Sequence, residues 1–261
     1  QRTYVLQDQV VGAQQDARAA LIIMARDIRM AGMLTGDGGF SVNGASEAIT
    51  PTNSNSSPDQ IRVVFAAEEF AVSGDSVTVS TVSDNVVTLS ANASAFFDTD
   101  TKKYVAFEGE SHVYQISTVS TDTLTLTESP PAYLVNFDAR VFRVRAITYS
   151  VSGNTLYRNN GEESQILAGA LNQSQVEDLQ ISYQVAGSTS WIYDETTSTW
   201  PAGKGTEDIR VVRINLVVRT PVEDTEDQTY SRPALEDRAA SGTQDGFRRR
   251  VYTTVVKLRN V

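Results

Sequence analysis

Residues 1–33, QRTYVLQDQVVGAQQDARAALIIMARDIRMAGM, decide the fold. They contain no proline, and Leu6, Val10, Ala13, Ala17, Ala20, Met24, Ile28 and Ala31 recur at helical steps. That period lines them along one side of a single helix of about nine turns. Asp8, Gln15, Arg18, Arg26 and Arg29 lie opposite, as a solvent face requires. Tyr4, Val11 and Ile22 fall on that same opposite side, interleaved with the charges. One apolar stripe suffices to cover a sheet of the helix's own domain. The second set suits a partner helix, while scattered surface apolar residues are also ordinary. Gly32 and the run Gly36-Asp37-Gly38-Gly39 end the helix, because glycine accepts the left-handed geometry of a C-terminal cap.

Residues 35–60 are polar, rich in Asn, Ser, Thr, Gly and Pro, and read as a connecting loop. Its glycines follow a helix and precede no lysine, the reverse of a phosphate-cradling loop. From Ile61 the chain reads as strands, at 61–66, 76–82, 86–91, 103–108, 113–119 and 123–127, a meander of short antiparallel segments. Pro130-Pro131 marks the end of this 61–138 subdomain. Next come 139–151, the turn Ser152-Gly153-Asn154 and 155–158, which form a hairpin. The periodicity of 165–171 does not decide between a helical turn and irregular chain. Strands follow at 179–185, 209–220 and 247–258, with Val212, Ile214, Leu216 and Val218 facing inward on the second. The expected organisation is a helix over 1–34, a loop over 35–60, a β-meander over 61–138 and a C-terminal sheet region over 139–261. This is an α+β chain with its helix first.

The 261 residues are 40% hydrophobic and 21% charged, which fits a folded chain with a real core. A net charge of −10 argues against a broad phosphate-binding surface, so no nucleic-acid partner is expected. The basic run Arg248-Arg249-Arg250 reads as solvated strand or as an ion-pair partner of the acidic loop 223–227. Cysteine is absent, which excludes disulfides, thiolate metal sites and cysteine nucleophiles. No apolar run is long enough to span a membrane. Gln1 is not an initiator, so the native N-terminus is expected to lie upstream.

The single histidine, His112, excludes paired-histidine metal sites and reads as a half-exposed strand residue. No nucleophile-elbow, zincin or Ser-x-x-Lys motif is present, so hydrolase chemistry has no visible apparatus. Oxygen-rich loops around Asp98 and Asp100, and around Asp224, Glu226 and Asp227, are the candidates for calcium, against a default of solvated acidic loops. Neither has the spacing of an EF-hand. Trp191, Tyr193 and Trp200 share a polar loop; they could stack on sugars, pack on a partner or cover the end of the sheet. No cofactor is expected.

Residues 15–32, and above all Arg26-Asp27-Ile28-Arg29-Met30-Ala31-Gly32, resemble the exposed half of the N-terminal helix in PilW-like minor pilins of type IV pili. Asn43-Gly44, 48–51 and Asp59-Gln60-Ile61 are similar to the segment after the helix in that family. Further matches are 147–151 with 156–158, then 176–183 and 211–220. The ending, 250–260, is similar to the family's final strand. The resemblance implies a type IV pilin-like fold, a long N-terminal helix packed on antiparallel sheets, with 66–140 as an expanded β-rich insertion. It implies a prepilin-peptidase site and an apolar half-helix upstream of Gln1, so that the protein is anchored in the inner membrane, cut, N-methylated and then built into the pilus. It implies no catalytic residue. The expected partners are other minor pilins and the major pilin, in a priming complex at the pilus tip, with Tyr4, Val11 and Ile22 meeting neighbouring helices. The alternatives are a J-type pseudopilin of type II secretion, and a secreted carbohydrate-binding or adhesin module using Trp191 and Trp200; a hydrolase comes third.

Overall fold

A computed structural model describes residues 2–36, 38–169, 174–193, 200–224 and 229–259; in the helix the described side chains are Gln7 and those from Gln9 onward. The chain divides into two compact units. One comprises Gln1–Arg29, Ile49–Arg62 and Ile147–Arg259, the other Met30–Ala48, Val63–Ala146 and Asn260–Val261.

The first unit begins with the helix Arg2–Met30, whose Ala, Leu, Arg and Met content favours helix. Ala13, Ala17, Ala20, Leu21, Met24, Ala25 and Ile28 are buried along one side. A hairpin pairs the second half of strand Val141–Ser152 with Thr155–Asn159. It turns at Gly153-Asn154, both at positive φ (56° and 62°), the geometry that matches the twist of two antiparallel strands. Ser164–Ala168 pairs with Thr155–Asn159, so the stretch that periodicity left open is a strand as far as Ala168, and its end at 170–171 lies outside the described residues. A separate antiparallel sheet takes strands Gln175–Val185, Ile209–Arg219 and Arg249–Lys257 in chain order. Strict alternation divides its faces. Leu179, Ile181 and Tyr183 oppose Leu216, Ile214 and Val212 on the apolar face, all buried. Asp178, Gln180 and Ser182 share the other face with Arg213 and Asn215.

In the second unit the helix has ended at Met30, and Gly32 takes φ 78° while the Gly36 N–H donates to its carbonyl at 3.2 Å. The expected 35–60 loop differs: it contains strands Gly38–Val42, Ala45–Glu47 and Ile49–Thr52, the first two joined through Asn43-Gly44 at φ 49° and 79°. Strands Val79–Ser83, Val86–Leu89, Thr123–Leu126, Tyr114–Val119 and Tyr104–Phe107 follow one another in the sheet, and Tyr104–Phe107 pairs with Val141–Arg143. Tyr104–Phe107 is buried on both faces. Tyr104 and Ala106 join one apolar cluster with Phe40, Val64 and Phe142, while Val105 and Phe107 join another with Ile116, Leu124 and Leu126. Pro130-Pro131 is no boundary, because the 3-10 helix Ala132–Phe137 just after it sinks Leu134 into the second cluster and the unit runs on to Ala146.

Two buried carboxylates tie the first unit together. Asp27, 2% exposed on the helix, accepts from the Tyr149 hydroxyl at 2.6 Å and the Arg158 Nε at 2.8 Å, one donor from each strand of the hairpin. Arg26 reaches it at 3.0 Å. Burial and the Asp27 charge push the Tyr149 phenol well above its usual pKa, so it stays a donor at every ordinary pH. Asp16, higher on the helix, accepts from Ser174 at 2.8 Å, just before the three-stranded sheet. Asp59 accepts the backbone N–H groups of Ser54 and Ile181, each at 2.8 Å, and its own N–H donates to the Leu179 carbonyl at 2.8 Å. Burial pushes the Asp59 carboxyl up to about 7; the two N–H donors oppose the shift and the charges of Asp237 and Asp178 add to it.

Two outcomes are expected from these bonds. Replacing Asp27 by Ala leaves Arg158 and Tyr149 without their acceptor and lowers stability by about 3–5 kcal/mol, against about 1.5–3 kcal/mol for Tyr149→Phe. Urea unfolding followed by tryptophan fluorescence measures both, since Trp191 and Trp200 lie in this unit. For Asp59 the folded carboxyl holds its proton to about pH 7 and the unfolded one releases it near its ordinary value of 3.8. Stability from this group is therefore lost as pH rises between those values and is constant above them. The stability difference between wild type and Asp59→Asn should shift steadily against wild type from pH 4 to pH 7. A difference independent of pH in equilibrium unfolding would show that Asp59 is ionised throughout.

Candidate functional site

The helix that buries one side leaves the other open. Gln7, Val11, Gln15, Arg18, Ile22, Arg26 and Arg29 are exposed and step along one line. Val11 is 49% and Ile22 69% exposed, on a stripe whose charges among the described side chains are Arg18, Arg26 and Arg29; the Asp8 side chain lies outside the described residues. The third residue of this expected set, Tyr4, has a side chain outside the described residues. Val11 and Ile22 stand about three turns apart, so they form two separate apolar points rather than one patch. Asp27 fixes which way they look. At about 100° per residue, both lie roughly opposite the carboxylate that the hairpin holds.

The two tryptophans of the aromatic loop pack on opposite faces of the three-stranded sheet. Trp191 stacks on the Arg213 guanidinium at 4.1 Å, and Trp200 packs on Tyr183 with ring centroids 5.3 Å apart. Both tryptophans are half-buried. Tyr193 is exposed, and its carbonyl accepts from the Asn53 side chain.

The carboxylate loops are also engaged. Asp98 accepts the N–H groups of Asp100 at 2.9 Å and of Thr101 and Lys102 at 2.7 Å, closing its own turn. Burial works to raise its pKa, but these donors outweigh it and hold the carboxyl below its usual value. Asp100 is exposed. Asp224 pairs with Arg248, whose Nε lies 2.9 Å away; Glu226 and Asp227 lie outside the described residues. Among the described residues no three His, Cys, Asp or Glu side chains gather as a metal site would need. His112 bonds Glu128 at 2.8 Å and lies edge-on to Tyr114, whose hydroxyl burial, with Glu110 and Glu128, pushes up to about 12.

Sequence reasoning missed the charged network on the polar face of the three-stranded sheet. The excursion 229–246 crosses that face. Arg232 reaches the fully buried Asp178 at 3.2 Å, and Arg238 bonds it too. Glu236 accepts from Arg213 at 2.9 and 2.8 Å and from Ser182 at 3.2 Å. Arg249, nearly buried, reaches Glu177 and Asp245, each at 2.6 Å. The signal was the alternation itself, which sets Asp178, Gln180 and Ser182 on one face beside Arg213 and Asn215. Asp27 was equally findable, because it lies three residues after Met24 and four before Ala31 on the buried side.

No helix among the described residues is long and apolar enough to cross a membrane. No curated protein matches the chain. Over 95% of its length it is similar to the type IV-like pilin TTHA1219 from Thermus thermophilus, across 95% of that chain, at 14% identity and a TM-score of 0.46. Residues 143–260, which carry Tyr149, Arg158 and the whole three-stranded sheet, match the family model of Type IV Pilus-assembly protein W.

Proposed function

We propose that the protein is a non-enzymatic minor pilin that joins other minor pilins in a priming complex for type IV pilus assembly. The family is one of pilus assembly, which gives the bacterial envelope and its pili as the setting and other pilus components as partners. The observation that carries the finer reading is the two-sided helix. Its inner side is buried and bonded through Asp16 and Asp27, while its outer side keeps Val11 and Ile22 in solvent along the stripe of Arg18, Arg26 and Arg29. Neighbouring subunit helices would cover those two points. An apolar segment upstream of Gln1 would continue the helix into the inner membrane. Trp191 and Trp200 rest on the sheet, which leaves Tyr193 as the exposed member of the loop for any adhesive role. The carboxylate loops remain open to a calcium titration of the purified protein.

Because Val11 and Ile22 are exposed, Val11→Asp with Ile22→Asp should change stability by less than about 0.5 kcal/mol per site. The same pair should reduce surface pili at least about tenfold in a strain that depends on this subunit, as a lost contact worth about 1.4 kcal/mol would. Normal piliation with both substitutions would remove the helix from the assembly surface. Normal piliation together with lost protein secretion would place the subunit in a type II secretion pseudopilus instead.

A further inference from the structure

The three-stranded sheet has two edges that the chain treats differently. Along strand Gln175–Val185 the outer edge is met five times. Asn154 accepts the Val176 N–H at 2.8 Å, Asp59 bonds at both Leu179 and Ile181, and Ile192 exchanges both bonds with Tyr183 at 2.8 and 2.9 Å. The opposite edge is the strand Arg249–Lys257, which pairs only with Ile209–Arg219 among the described residues. Its register is unbroken over nine residues, with no bulge and no proline. Val251 (39%), Thr253 and Val255 (54%) are exposed along it. An edge that is long, regular and β-branched presents a row of unpaired N–H and C=O groups to any extended chain that reaches it.

Charge selects what reaches it. The protein carries −10, yet residues 247–261 contain five Arg and Lys and no Asp or Glu. Arg248 and Arg249 are engaged by Asp224, Glu177 and Asp245. Arg250, Lys257 and Arg259 are exposed and make no ion pair among the described residues, and the first two bracket the uncharged stretch Val251–Val256. Two copies pairing edge to edge over that stretch would gather Arg250 and Lys257 of both, and 247–261 offers no carboxylate side chain to meet them. Gathering like charges is unfavourable, so the edge disfavours a second copy. A foreign strand with carboxylates at its two ends meets both cations, whether it runs parallel or antiparallel.

We propose that the outer edge of Arg249–Lys257 receives an extended, acid-flanked β-strand from a different subunit, which completes a four-stranded sheet. The proposal deepens the assembly reading and rests on it for calling the donor a neighbouring subunit. The edge itself can be tested on the purified chain without pili. The probes are two soluble peptides with the same alternating Thr-Val core, one flanked by aspartates and one by lysines. At low salt the aspartate peptide should bind about tenfold tighter and slow amide hydrogen exchange at residues 250–257. Arg250→Glu with Lys257→Glu, both at exposed positions, should reverse the preference. Equal affinities, slowing elsewhere than at 250–257, or an unreversed preference would each overturn the proposal. Should the double variant not fold, the site of slowed exchange in wild type decides alone. A result that overturns the edge while the Val11 and Ile22 pair still abolishes piliation would leave the minor-pilin reading standing.

Discussion

A carboxylate on the buried side of a helix must be met by donors, since an unpaired charge there costs several kcal/mol. Asp27 meets that demand with a tyrosine and an arginine on adjacent strands of one hairpin, both aimed at the same carboxylate oxygen. A stripe of alanines, by contrast, has little shape with which to fix rotation or register. The alanine stripe lets the helix lie close, and the Asp27 bonds decide its rotation about its own axis and its position along it. The outward placement of Val11 and Ile22 is set by that rotation.

The same logic operates on the three-stranded sheet. Its apolar face is ordinary aliphatic and aromatic packing, but its other face holds Asp178, Gln180, Ser182, Arg213 and Asn215. Such a face either stays wet or is covered by a segment that satisfies it. The excursion 229–246 does the second, with Arg232, Arg238 and Glu236 supplying the missing charges. Arg232 shows what this costs. Burial and the neighbouring Arg238 pull its pKa below the usual arginine value despite the attraction of Asp178. The segment is thereby held across all three strands, while the third strand has no strand partner on its outer edge among the described residues.

Much of the fold was legible because it rests on period alone. The helix, its buried stripe, the hairpin at Gly153-Asn154 and the inward set Val212, Ile214, Leu216 and Val218 all come from local spacing and turn chemistry. The short strands at 38–42, 45–47 and 164–168 were not, since three to five residues carry too little alternation to outweigh polar composition. Pro130-Pro131 misled because proline stops a strand without stopping a unit: Leu134 beyond it is core. The division into units has no sequence signal, for Ile49–Arg62 returns to the first unit after Met30–Ala48 has joined the second.

The sequence by itself determined the longer elements, the inner and outer sides of the helix and the acidic character of the chain, because periodicity and charge are properties of the chain before it folds. The resemblance carried by its helix and its closing strand was legible for the same reason. Only the tertiary structure decided which charges are partners. Asp27 finds Tyr149 and Arg158 more than 120 residues later, and Asp178 finds Arg232 and Arg238 more than 50 residues on. Such pairs form when packing brings distant strands together, and their strength comes from a dry interior that exists only after folding. That Arg249–Lys257 has a strand neighbour on one side alone among the described residues is likewise a tertiary fact, since a strand's neighbours are set by the sheet and not by its own residues.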